Sequence, residues 1–222
     1  MSEQTILLNN IQLTFPPPPP LHADSEIKMR DMDEIRTVTT VFINIDNLNG
    51  WDDISLNDLA KNAEPLFAHV FNLACKPHHE GMVQQFVVDQ KSCKVVVCFG
   101  VQGYSHQDDP TRAVNFALAV KNAIHYATAT VGITTTKAFC GTVGSLQRRE
   151  YAIMGEGYSI ARGLTAVEEN NSRIVMDSST FTSVAKFFDV EELGKVNIGQ
   201  ELEEEVMVES FQPLVLKPTT VK

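Results

Sequence analysis

Long apolar runs, a surplus of basic residues and a recognisable secretion signal are all missing from this sequence. No stretch reaches the roughly 18–20 consecutive apolar residues of a membrane-spanning helix. The first ten residues contain no basic segment followed by an apolar core, so we expect a cytoplasmic protein without a membrane span. The 18 basic residues are outnumbered by 28 acidic ones, which gives a formal net charge of −10. A nucleic-acid-binding surface needs a basic face, so we expect no nucleic-acid partner.

Paired cysteines are also missing. The four cysteines, at positions 75, 93, 98 and 140, form no C-x-x-C pair, and two of them lie in apolar, strand-like sequence. This pattern favours buried, reduced thiols over disulfides or a metal site. With 43% hydrophobic and 21% charged residues over 222 positions, the composition is that of an ordinary globular chain with one domain and a tail.

The N-terminal residues 1–36 are predicted to form a proline-rich arm outside the domain. The segment Phe15–Pro20 ends in five consecutive prolines. Because proline fixes φ and lacks an amide donor, this run predicts a stiff polyproline II rod. The rod either docks into an aromatic groove of a partner or serves as a spacer. We expect the domain itself over residues 37–216 and a tail over residues 217–222.

The remaining sequence alternates β-branched runs with amphipathic stretches. Strands are predicted at Thr37–Ile45, Met82–Val88, Lys94–Phe99, Thr128–Thr135, Lys137–Val143, Arg173–Met176 and, as a late edge strand, Val206–Phe211. Helices are predicted over Leu56–Ala74, from Asp109 onwards, and over Ile160–Glu168. The order predicts an α+β fold with a ferredoxin-like βαββαβ core, extended by a C-terminal hairpin.

The segment Phe139–Leu164 is the most informative part of the chain. It places two glycine turns, Gly141–Gly144 and Gly155–Gly157, around the run Arg148-Arg149-Glu150-Tyr151. This segment resembles the central hairpin and dimer arm of class III nucleotide cyclases. The same resemblance, closest to the second catalytic half of soluble, bicarbonate-responsive adenylyl cyclases, is carried by Ile35–Ile45, Val88–Lys91, Val97–Gly100, Thr130–Gly144 and Phe188–Gly199.

The resemblance covers about Ile35–Leu216 and implies a reaction. Class III cyclases convert ATP or GTP to the cyclic 3′,5′-monophosphate and pyrophosphate, at a site between two domains packed head to tail. That chemistry needs two carboxylates holding two Mg²⁺ or Mn²⁺ ions, and cations that stabilise the developing phosphate charge. It also needs an asparagine that orients the ribose and a polar pair that reads the base. The implied partner is a second cyclase domain, in a homodimer or a heterodimer.

The implied metal positions fall on a mixed set of residues. The first carboxylate position corresponds to Asn44, which is neutral and a poor Mg²⁺ ligand. Asp46 follows on the same strand face, and a bulge would shift it into that position. The second carboxylate corresponds to Asp89, at a hairpin tip where aspartate also suits the turn. An active enzyme would use Asp46 and Asp89 as its metal pair; otherwise no cofactor is expected.

The implied nucleotide-binding positions have also changed. The base-reading lysine position corresponds to Gln84 or Gln85. The second base-reading position corresponds to Ala152, next to Ile153, and alanine cannot hydrogen-bond a purine edge. The ribose-orienting asparagine position falls on Ser159. These substitutions leave the choice between ATP and GTP open.

The implied phosphate-binding positions have lost both cations. The transition-state arginine position falls on Gly163, and the phosphate-binding lysine position on Ile198. Arg162 is adjacent but points about 100° away from position 163 on a helix, so it is not a simple substitute. By its spacing Arg162 also resembles an anion-pocket arginine in the first halves of tandem cyclases; a surface or dimer-face role is the alternative.

The run Arg148, Arg149 and Tyr151 corresponds to the arm that crosses to the partner subunit, with an exposed hairpin tip as the alternative. Taken together, the resemblance predicts a degenerate cyclase homology domain, a pseudoenzyme that pairs with a competent cyclase half. An active purine nucleotide cyclase and an interaction module in a larger assembly are the two alternatives.

Overall fold

A computed structural model describes residues 33–46, 56–88, 92–124, 127–145, 149–167, 172–199 and 206–216. Within these ranges the chain forms eight strands and four helices. The strands are β1 (Glu34–Asp46), β2 (Met82–Val88), β3 (Ser92–Phe99), β4 (Thr128–Gly144), β5 (Arg149–Met154), β6 (Ile174–Asp177), β7 (Phe188–Asn197) and β8 (Met207–Leu216). The helices are α1 (Leu56–Ala74), α2 (Asp109–Ala123), α3 (Gly157–Ala166) and α4 (Ser178–Val184).

All of these strands join one sheet. Seven follow the order β2–β3–β1–β4–β6–β8–β7, and β5 pairs with β4 outside this path. Strand pairs are antiparallel except β4 and β6, which run in parallel. The strands β2–β3–β1–β4, with α1 and α2 connecting them, form the ferredoxin-like core, and β7 and β8 form the added hairpin. The predicted α+β fold is confirmed.

The two faces of this sheet are covered by different helices. Val41, Ile43 and Ile45 of β1 belong to the largest hydrophobic core, which is completed by α1 and α2. Because successive strand residues alternate between faces, Phe42 and Asn44 lie on the opposite face, where α3 packs. We call these the α1/α2 face and the α3 face.

Helix α3 lies unusually close to the sheet. A side chain at Gly132 of β4 would overlap the carbonyl oxygen of Ala161 in α3. Ala161 and Leu164 are fully buried at this contact. The absence of a Cβ at Gly132 therefore allows the backbone of α3 to contact β4 directly. This contact sets the distance between α3 and the sheet.

The structure corrects the prediction of two strands at Thr128–Thr135 and Lys137–Val143. These residues form the single strand β4, which pairs with β1 without interruption from Thr128 to Cys140. The long partner strand explains the continuity, because its unbroken ladder satisfies the backbone of Thr136 where a turn was predicted.

The C-terminal strand was also predicted in the wrong place. Strand β8 was expected at an edge, but it lies between β6 and β7, and β7 is the edge strand of this pair. Strand β5 and helix α4 were not predicted as elements. Strand β1 begins at Glu34, inside the segment assigned to the arm, and α3 begins at Gly157 rather than Ile160.

Three of the four thiols are buried and free, as predicted, whereas Cys75 is free and exposed. In the described ranges no helix combines the length and the apolar character needed to cross a membrane.

Candidate functional site

The α3 face carries the residues that the resemblance assigns to the metal site. Asn44 and Asp46 lie side by side near the end of β1, and the Asn44 amide nitrogen donates a hydrogen bond of 2.6 Å to Oδ2 of Asp46. The Asn44 Oδ1 atom is buried without a hydrogen-bond partner among the described residues. The Asn44 amide therefore donates to the Asp46 carboxylate through its nitrogen, and its neutral oxygen replaces the carboxylate expected at this position.

Backbone pairing through this region is regular. Strand β1 pairs with β3 and with β4 in continuous register as far as Asp46. The bulge that would shift Asp46 into the first carboxylate position is therefore absent from β1. Asp89, the predicted second carboxylate, lies outside the described residues.

Position 44 has two cross-strand neighbours, and neither is acidic. Lys94 of β3 and Thr130 of β4 pair directly with Asn44. Lys94 is half-buried, and the sequence analysis did not single it out. The described residues contain no group of three or more His, Cys, Asp or Glu side chains that could hold a metal ion. The described residues at this end of the sheet, Asn44, Asp46, Lys94 and Thr130, do not by themselves fit an Mg²⁺ pair.

Gln84 lies at an irregularity in β2, where the pairing with β3 skips one residue before Gln85. Its side-chain oxygen accepts a hydrogen bond of 3.3 Å from the Cys98 thiol. Burial raises the pKa of Cys98 to about 12, so this residue remains a thiol donor at neutral pH. The amide oxygen at the base-reading position is consequently engaged by its own sheet.

Ala152 and Ile153 are successive residues of β5 and project to opposite faces. Ile153 packs against the cluster on the α3 face, where Cys140 and Val38 are buried. Ala152 pairs with Gly141. Ile153 therefore lies on the α3 face, whereas Ala152, the predicted second base-reading position, lies on the opposite face.

Helix α3 presents Ser159 and Arg162 as half-buried residues on the α3 face. The adjacent Tyr158 meets the Phe42 ring edge-to-face, with centroids 5.6 Å apart. Tyr158 is 40% exposed, whereas Phe42 is buried. Arg162 makes a further polar or electrostatic interaction, and its carbonyl oxygen accepts a hydrogen bond from Thr165.

Gly163 and Ile198, the two positions where cations were expected, are in direct contact. A Cβ atom at Gly163 would lie 2.7 Å from Cβ of Ile198 and 3.2 Å from its carbonyl oxygen. Ile198 is only 3% exposed and forms an apolar cluster with Leu164 and Val175. A side chain at position 163 therefore has no room, and an apolar side chain fills the space beside it.

The predicted dimer arm is partly described. Arg149 and Tyr151 belong to β5 and pair with Gly144 and Thr142, whereas Arg148 lies outside the described residues. The Tyr151 ring packs against the cluster on the α3 face, beside Cys140. Burial raises the pKa of Tyr151 to about 12. Tyr151 thus anchors the arm to its own sheet through its ring.

Comparison with known sequences gives a limited match. No protein-family model matches the chain. Human adenylate cyclase type 10 aligns at 25% identity over 134 residues, which span 59% of this chain and 8% of that protein. The chain thus corresponds to a small part of the curated relative's length.

Comparison with solved structures covers much more of the chain. The adenylyl cyclase CyaB from P. aeruginosa superposes with a TM-score of 0.69 at 17% identity, over 86% of this chain and 99% of that chain. The guanylate cyclase domain of RhGC from Catenaria anguillulae, solved in complex with GTP, superposes with a TM-score of 0.68 at 16% identity, over 83% and 100% of the two chains. The protein therefore has the fold of a class III nucleotide cyclase homology domain.

Proposed function

We propose that this domain is a degenerate cyclase half that pairs with a catalytically competent cyclase domain and acts as its non-catalytic or regulatory partner. The contact between Gly163 and Ile198 carries the proposal. In an active class III cyclase these positions would supply the cations that stabilise charge on the transferring phosphate and on pyrophosphate. Here they form a closed apolar contact, which no rotamer change opens because Gly163 faces the Cβ and the carbonyl oxygen of Ile198, both fixed by the backbone.

The energetic consequence is large. Loss of one charge-stabilising group costs about 2–4 kcal/mol in the transition state, or about 10²–10³ in rate. Several groups are altered together: Asn44, Ala152, Ser159, Gly163 and Ile198. Effects within one constellation do not add. Even so, the combined loss leaves an isolated pair of these chains without measurable turnover.

The first experiment measures turnover. The purified chain is incubated with ATP or GTP and with Mg²⁺ or Mn²⁺, and cyclic nucleotide formation is followed by mass spectrometry. A competent class III cyclase domain serves as the positive control. We expect no product above background. Robust turnover by the chain alone would overturn the proposal and favour an active cyclase that uses Asp46 and Asp89.

A second experiment tests pairing. The chain is titrated into a competent cyclase domain, and both complex formation and turnover of that domain are measured. Tyr158, exposed on the α3 face, is replaced in Tyr158→Glu, and Phe71, 36% exposed on α1, is replaced in Phe71→Glu as the matched control. The site of a class III cyclase lies between two domains, and the residues that correspond to it lie on the α3 face, so we propose pairing through this face. We therefore expect Tyr158→Glu to abolish the complex and Phe71→Glu to retain it. Equal binding by both variants would place the interface elsewhere and contradict pairing through the α3 face.

A thermal-shift measurement separates this role from that of an interaction module without a nucleotide pocket. A ligand that binds the folded state stabilises it by an amount that grows with the logarithm of its concentration once this exceeds the dissociation constant. If the paired complex retains a nucleotide site, millimolar ATP or GTP raises its melting temperature. A complex that forms but shows no shift would favour the interaction module.

A further inference from the structure

The position of Lys94 in the sheet affects whether this domain can bind a divalent cation. On β3, Val96 and Cys98 pack into the cluster on the α3 face, so Lys94, two residues earlier, lies on the same face. Strand register pairs Lys94 directly with Asn44, and pairs Ser92 with Asp46. Lys94 thus occupies the strand position adjacent to the one that would hold the first metal carboxylate.

Lys94 is also within reach of Asp46. Diagonal neighbours on adjacent antiparallel strands are about 7–8 Å apart, a separation that a long side chain spans. Lys94 and Asp46 each make a polar or electrostatic interaction beyond the hydrogen bond between Asn44 and Asp46. By strand register, Asp46 therefore shares one face of the sheet with the Asn44 amide and with Lys94.

The charge of this set differs from that of a metal site. Two carboxylates would present a charge of about −2 to an incoming ion, whereas the formal charges of Asp46 and Lys94, the charged pair described on this face, cancel. Mg²⁺ and Mn²⁺ also prefer several oxygen ligands, and an ammonium donates hydrogen bonds but supplies no lone pair. Asn44 Oδ1 offers one neutral oxygen only.

We infer that the Lys94 ammonium supplies internally the positive charge that a divalent cation would supply at this end of the sheet, so that the domain is metal-independent. The inference deepens the proposed non-catalytic role and rests on it. A partner half would then have to bring its own metal ligands.

Direct metal binding tests this inference without relying on activity. Free Mn²⁺ is measured by electron paramagnetic resonance in the presence of the full chain. We expect no specific binding by the wild-type chain at millimolar Mn²⁺. Lys94→Ser removes the ammonium, and combining it with Asn44→Asp restores a carboxylate. The double variant is expected to bind Mn²⁺ at least about tenfold more tightly than the wild type.

Two further variants control for charge and folding. Lys94→Arg keeps the positive charge and is expected to remain without Mn²⁺ binding, and Lys195→Ser removes an exposed lysine of β7 and is expected to behave as the wild type. Circular dichroism verifies that each variant is folded. If the double variant fails to fold, Lys94→Ser against Lys94→Arg gives the same comparison.

Specific Mn²⁺ binding by the wild-type chain would overturn the inference, as would a folded Lys94→Ser variant that binds no more Mn²⁺ than Lys94→Arg. Cyclic nucleotide formation is measured on the same samples. Mn²⁺ binding without turnover removes this inference and leaves the proposed partner role standing. Turnover removes the proposed role itself.

Discussion

The α1/α2 face and the α3 face are built on the same strands, yet they are filled in opposite ways. The α1/α2 face holds one continuous core of large side chains, including Phe99 and Phe116, both fully buried. The α3 face holds two smaller hydrophobic clusters. Helix α3 makes its closest contacts there at two glycines, with Gly132 of β4 and, through Gly163, with Ile198. One face supplies most of the apolar burial that folds the chain, and the other is where cyclases place their chemistry.

The largest expected effect lies on the α1/α2 face. Phe116 is fully buried and meets the rings of Phe99 and His79 at centroid distances of 5.6 and 5.7 Å. Phe116→Ala is expected to lower the free energy of unfolding by about 3–5 kcal/mol, because it removes buried surface and leaves a cavity. Urea unfolding measures the change, with Phe71→Ala at an exposed site as the control. A loss no larger than that of the control would contradict the importance assigned to this core.

The second-largest effect on stability is expected on the α3 face, where Gly163 contacts Ile198. Gly163→Ala would gain about 0.5–1 kcal/mol from helix propensity, but overpacking against Ile198 costs about 1–3 kcal/mol. We therefore expect a net loss of about 1–2 kcal/mol in unfolding free energy. Ser159→Ala, on the same helix, serves as the control.

A double-mutant cycle identifies the cause of that loss. Ile198→Ala should cost less in the Gly163→Ala background than in the wild type, with a coupling energy above about 0.5 kcal/mol. Strictly additive effects would show that the two positions do not press on each other, and would remove the main support for the proposed function.

A smaller effect appears at alkaline pH. The pKa of Tyr151 is raised from 10.0 to about 12 because its phenol is buried, so the folded chain holds the proton more tightly than the unfolded chain. The stability from this group is present below pH 10 and is lost as the pH rises from about 10 to about 12. We expect a contribution of roughly 1–2 kcal/mol after screening by solvent.

Tyr151→Phe isolates this contribution, because phenylalanine keeps the ring and cannot titrate. Unfolding free energies are compared across the alkaline range, and Tyr104→Phe, in the same cluster, is the control. The wild type and Tyr104→Phe should lose stability more steeply than Tyr151→Phe. Parallel curves for all three proteins would mean that Tyr151 is not buried as described.

The smallest expected effect concerns catalysis. Ser159→Asn restores the residue type that the family uses to orient the ribose, but it leaves the contact between Gly163 and Ile198 closed. We expect no gain in cyclic nucleotide formation over the wild type. A clear gain would show that the α3 face is closer to an active site than its packing indicates.

Much of the fold follows from local patterns. The β-branched run at Thr37–Ile45 and the amphipathic stretch Leu56–Ala74 form a strand and a helix as predicted. Local pattern failed where long-range pairing decides the outcome. Strand β4 is continuous because β1 pairs with its full length, and β8 is internal because both β6 and β7 pair with it.

The candidate site, like the fold, was predictable from the sequence only in part. The residue types at its positions are readable from the chain, including the neutral Asn44 and the uncharged Gly163 and Ile198. Lys94 was missed because a lysine in a predicted strand is ordinary, and its importance comes from facing Asn44 across the sheet. The sequence around Lys94 and around Asn44 does not indicate that the two residues pair.

Residue identity thus determines which side chains this chain carries at the positions that the resemblance assigns to catalysis. Whether the space beside Gly163 is open or filled depends on tertiary contacts. Gly163 and Ile198 are far apart in sequence, and only the packing of α3 against the residue after β7 brings them into contact and closes the space. Register between β1 and β3 likewise decides that a lysine, and not an acidic residue, pairs with Asn44 across the strands.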